Sequence, residues 1–146
     1  MKRIVLTLAA FVVAAGCHAE ITVKEAWVRA TVTQQKATGV FMQLKSDRDV
    51  KLVAARSPVA AIAEIHEMAL QGDTMRMHAI EAVELPAGKT VTLQPGSGYH
   101  VMLLDLKQQV MAGTQVPVTL VFEGRDGRRE AVDIQATARV LRPTAE

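Results

Sequence analysis

"EIHEMALQGDTMRMH", Glu64 to His78, holds two histidines and three methionines, and the way it folds decides the class of the chain. Ala, Glu and Leu in the overlapping "PVAAIAEIHEMAL" favour a helix on propensity alone. Against that, Gly72-Asp73 supplies a tight turn just before a second alternating run, which predicts a hairpin with at least the second half of the first run as strand. A hairpin symmetric about this turn sets Met68 opposite Met77, Leu70 opposite Met75 and His66 opposite Ala79. Side chains alternate along a strand, so His66, Met68, Met75 and Met77 project from one face and His78 from the other. Opposite Cβ atoms lie about 5 Å apart and diagonal ones about 7 Å, close enough for two long side chains to share an atom.

The rest of the chain has the same texture. "ITVKEAWVRAT", "GVFMQLKS" and "VKLVAARSP" precede the hairpin; "VELPAGKTVTLQPGSGYHVMLLDL" holds three runs cut by Pro86-Ala87-Gly88 and Pro95-Gly96-Ser97-Gly98. "VPVTLVFEGRDGRREAVDIQATA" alternates about a Gly124 to Gly127 turn and predicts a second hairpin. Eight or so short strands imply an all-β fold, a β-sandwich or Greek-key barrel. At 146 residues, 49% hydrophobic and 22% charged, the composition suits one globular domain, residues 20–146.

Residues 1–19 read as a leader. Lys2 and Arg3 precede "IVLTLAAFVVAA", Ile4 to Ala15, an apolar run too short to span a bilayer and followed by small residues. Cleavage after Ala19 gives a periplasmic protein; the other reading takes "AAGC" as a lipobox with Cys17 acylated, although Ala14 is a poor first residue for that motif. The leader removes two basic residues and no acids, leaving 17 − 2 = 15 basic against 15 acidic. No basic stripe points to nucleic acid, and no later run is long enough for a transmembrane segment. The chain reads as a monomer.

Cys17 is the only cysteine, so on the cleaved reading any soft-metal site must be built from methionine and histidine. His100 and Met102 lie two apart on a predicted strand, share a face, and sit just beyond the glycine turn of "PGSGYH". Imidazole nitrogen and thioether sulfur are neutral donors that suit Cu(I) better than Zn(II), Mg(II) or Ca(II). They also suit an oxidising compartment, where cysteines are drawn into disulfides. Singly, each methionine is more simply core filling and each histidine a satisfied polar residue. Two His-x-Met pairs together in an exported, cysteine-free chain are harder to dismiss. Met42 and Met111, outside the clusters, read as core.

His66, ten residues, Met77, and then "HVM" at His100 to Met102 followed by Leu103 form a pattern that resembles the PCuAC family of periplasmic copper chaperones. The resemblance extends to "AWVRAT" at Ala26 to Thr31, "ELPAGKTVTLQPG" at Glu84 to Gly96 and "GTQVPVTLVFE" at Gly113 to Glu123. It implies a cupredoxin-like β-sandwich holding one Cu(I) through His66, Met77, His100 and Met102, with Met68 and Met75 as auxiliary or transient ligands. It also implies delivery to the copper-carrying subunit of cytochrome c oxidase, helped by a thioredoxin-like copper protein. The interval from Met77 to His100 is one residue longer than the family's, with Ser97 as the insertion, and the His/Met-rich C-terminal tail of some relatives is lacking.

Three rival readings compete with carriage. A blue-copper electron-transfer protein needs a cysteine beside two histidines. An enzyme would need more than Asp105 near His100, which reads as a surface strand residue, and no G-x-S-x-G motif occurs. A metal-independent β-sandwich binding module would use its methionines as core or as an adaptable contact surface.

Overall fold

The computed structural model describes residues 18–96 and 98–141. Ten strands follow one another: β1 (Ile21–Arg29), β2 (Ala37–Ser46), β3 (Val50–Arg56), β4 (Ala60–Gln71), β5 (Thr74–Ile80), β6 (Val83–Leu85), β7 (Thr90–Leu93), β8 (Tyr99–Leu106), β9 (Gln115–Gly124) and β10 (Arg129–Arg139). The fold is all-β, as the alternation implies, and cupredoxin-like, as the family resemblance implies. Both expected hairpins form, and the Ala-rich run that propensity would make helical is strand throughout β4. Pairing on both edges of β4, with Ile65 driven into the core, overrides the weak local preference. Most of the leader, the insertion at Ser97 and residues 142–146 fall outside the described residues; of the leader, exposed His18 and half-buried Ala19 precede β1.

Nine strands hydrogen-bond in the order β5-β4-β8-β2-β1-β10-β9-β3-β6, with β7 paired to β2. Every pairing is antiparallel except that of β1 with β10. The edge of β2 is shared: Ala37 to Val40 pair with β8, and Met42 to Lys45 with β7. The sheet curls so that inward residues from both halves, among them Val40, Met42 and Leu44 of β2, Val101 and Leu103 of β8, and Leu120 and Phe122 of β9, form one core. Period-two alternation in β9 is complete, with Val116, Val118, Leu120 and Phe122 all buried.

The outer face of the β5-β4-β8 region carries the residues singled out above. Gly72 takes φ 63°, which a two-residue turn of the hairpin's hand requires. The resulting register pairs His66 with Ala79, Met68 with Met77 and Leu70 with Met75, as the symmetric turn predicts. Met42 is buried at 2% exposure as expected, but Met111 is a correction: it is 61% exposed, in the turn before β9, where its carbonyl accepts from Thr114. A turn outside the sheet has no inward face for it to fill. Asp105 is exposed with φ 51°, a surface irregularity at the end of β8. Among the described residues no helix is long and apolar enough to cross a membrane.

Candidate metal centre

Strand order joins the two His-x-Met clusters. β8 pairs with the side of β4 opposite β5, setting His66 beside His100 and Glu64 beside Met102. Ala79, His66 and His100 therefore stand in one row across three strands, with Met77 one diagonal step away on β5. The side chains close the gap further. His100 Nε2 lies 3.0 Å from Met77 Sδ, and the His66 and His100 ring centroids are 5.6 Å apart. Met102 shares the His100 face of β8 and is half-buried.

An aromatic wall continues the row. Phe41 on β2 lies 6.1 Å from the His100 ring, and Trp27 on β1 lies 4.7 Å from Phe41. The two imidazoles are thus sunk between apolar and ring surfaces, at 9% exposure for His66 and 7% for His100, whereas Met77 is 46% exposed. Burial lowers the pKa of His100 from its ordinary value, and the nearby His66 and Arg29 act in the same direction. A neutral imidazole with a free lone pair is the form a metal takes.

One carboxylate enters the same face. Glu64 Oε2 lies 2.7 Å from His66 Nε2, while His66 Nδ1 is buried and has no hydrogen-bond partner. Sequence reading passed over Glu64; the i, i+2 spacing to His66 was its only signal. His78 projects from the opposite face and faces Glu67 at 3.5 Å, away from the cluster. Met68 and Met75 share the site's face, Met68 half-buried against Met77 and Met75 48% exposed beside Leu70.

The donor set fits a soft monovalent ion. Among the described residues no group of three or more His, Cys, Asp or Glu is placed to hold a metal; the soft donors on this face include the thioether sulfurs of Met77 and Met102. His66 Nδ1 is left without a hydrogen-bond partner, and His100 Nε2 meets Met77 Sδ at 3.0 Å.

Residues 21–136 match the family described as "Putative lipoprotein LpqE-like". The chain belongs to this family. A relative from Leifsonia xyli subsp. xyli, described as "Putative lipoprotein Lxx21020", is 31% identical over 115 residues, 78% of this chain and 68% of its own length. Among solved structures, the copper-bound PCuAC domain from PmoF2 is 26% identical with a TM-score of 0.66, covering 86% of this chain and 100% of that domain. The Cu(I) form of DR1885 from Deinococcus radiodurans is 34% identical with a TM-score of 0.63, covering 86% of this chain and 83% of that one.

Proposed function

We propose that this chain is an exported carrier of Cu(I), holding one ion through His66, Met77, His100 and Met102. The observation that carries the reading is the convergence of His100 Nε2 on Met77 Sδ at 3.0 Å, with the His66 ring alongside, from three neighbouring strands. The Cu(I) bound by DR1885 and the copper bound by the PmoF2 domain support it. Carriage requires no bond to be broken in a substrate. The ion is cargo, and the chemistry is ligand exchange.

The burial gradient gives the exchange an order. His66 and His100 are buried and held, while Met77 stands half in solvent on an edge strand and is the ligand an incoming acceptor donor displaces first. Met75, farther out on the same face, and Met68 beside Met77 act as auxiliary donors along that route. The acceptor is a copper-carrying subunit of cytochrome c oxidase, served directly or through a thioredoxin-like copper protein. A leader over residues 1–19 places the carrier in the periplasm; the lipoprotein descriptions support the alternative of an anchor at Cys17. Mass spectrometry of the mature N-terminus separates the two.

The deciding experiment is an anaerobic competition titration of the mature chain with Cu(I) against a chromophoric chelator, beside a His100→Ala, Met102→Ala variant. One tight equivalent that the variant loses upholds the site. No binding by a folded wild type overturns it and favours a metal-independent module.

A further inference from the structure

We infer that Glu64 is the positioning residue of this site: its carboxylate fixes the His66 tautomer so that Nδ1, not Nε2, is the nitrogen presented to the metal. The inference rests on the copper reading above and adds a residue and an atom to it.

Placement comes first. Glu64 and His66 are two apart on β4 and share its outer face, and the ladder sets Glu64 beside Met102 and His66 beside His100. The carboxylate therefore stands within the ligand cluster. Its side chain is 40% exposed, so burial does not force it onto the ring. Among the described residues its only side-chain hydrogen bond is the one to His66.

Proton bookkeeping follows from the 2.7 Å contact. An ionised carboxylate can only accept, so the proton in that bond belongs to His66 Nε2. A neutral imidazole carries one N–H, which leaves the lone pair on Nδ1. That atom is the buried one with no partner. An unpaired buried acceptor is costly to fold around and is rarely kept without a use. A cation at Nδ1 would satisfy it.

Two effects make the arrangement productive. Metal-bound imidazoles commonly donate their second N–H to a carboxylate, which locks ring orientation and raises the basicity of the ligating nitrogen. In addition, four neutral ligands leave the charge of Cu(I) uncompensated in a half-buried site, and Glu64, among the described residues the only carboxylate contacting a proposed ligand, supplies one negative charge.

Long-range proton–nitrogen NMR of the 15N-labelled mature chain tests this, since Cu(I) is diamagnetic. The copper-free wild type is expected to show His66 protonated at Nε2, and Cu(I) is expected to shift Nδ1. Glu64→Ala is expected to mix the tautomers and weaken Cu(I) about 10- to 100-fold at unchanged stoichiometry, with thermal unfolding of the copper-free form little altered. Glu64→Gln, which keeps an acceptor but not the charge, should fall between. A copper-free wild type protonated at Nδ1, copper at Nε2, or wild-type affinity in Glu64→Ala each overturns the inference while leaving the copper site standing. Absence of Cu(I) binding by the wild type overturns both.

Discussion

Gly39 and Phe41 face the same side of β2, and the phenyl ring lies so close over the glycine that a β-carbon there would come within 2.7 Å of Phe41 Cζ. Gly39 is also the ladder partner of Met102, and the Phe41 ring lies tilted beside that of His100. A methyl group at 39 must therefore displace the ring, which has His100 as a neighbour. Gly39→Ala is expected to destabilise the fold by about 1–3 kcal/mol, the usual cost of overpacking, and to weaken Cu(I) binding. Denaturant unfolding and chelator competition on one preparation check both.

Stability and binding should separate among the methionines. Met77 is half-exposed, so Met77→Leu should leave the unfolding midpoint nearly unchanged while cutting Cu(I) affinity at least tenfold. Met42 is sealed in the core, and Met42→Ala should lose about 2–5 kcal/mol while the remaining folded protein still binds one equivalent. Parallel loss of stability and binding in Met77→Leu would return that residue to a packing role.

Met75 should matter for speed more than for equilibrium. It sits on the site's face one alternation beyond Met77, exposed at the tip side of the hairpin. Met75→Leu is expected to change Cu(I) affinity less than twofold and to slow transfer to a chelator in stopped-flow measurements. An unchanged transfer rate removes it from the route.

The copper-free protein should weaken in mild acid through His100. Burial, reinforced by His66 and Arg29, holds this imidazole neutral, so its folded pKa lies below the unfolded value of about 6.5. The unfolded chain then takes up the proton first as pH falls. Stability from the neutral ring is complete above the unfolded value and is lost as pH drops from there toward the lower folded value. An imidazole titration followed by proton NMR should place His100 below the ordinary histidine value of about 6.5, and Arg29→Met should raise it.

Much of this site was legible locally. Gly72-Asp73 and the alternation around it fixed which methionines oppose which residues, because hairpin register depends only on the turn and its neighbours. Long-range order was not legible: nothing local says that β8 lies against β4, or that β1 pairs in parallel with β10. The wall of Trp27 and Phe41 depends on that order and stayed hidden, though both residues sit in plain alternating runs. Glu64 was obscured for another reason. A glutamate on a half-exposed strand ordinarily faces water, and only the ring nitrogen two residues on gives it a partner.

β5 is the outermost strand of its sheet, and among the described residues its backbone ladder is with β4 alone. An ion held jointly by Met77 on β5, His66 on β4 and His100 on β8 would act as a staple across all three, tying the free margin to the interior. The backbone amides of β5 would then exchange with solvent more slowly in the loaded form than in the empty one. Any protein that reads the stiffness of that margin could distinguish a full carrier from a spent one without touching the metal.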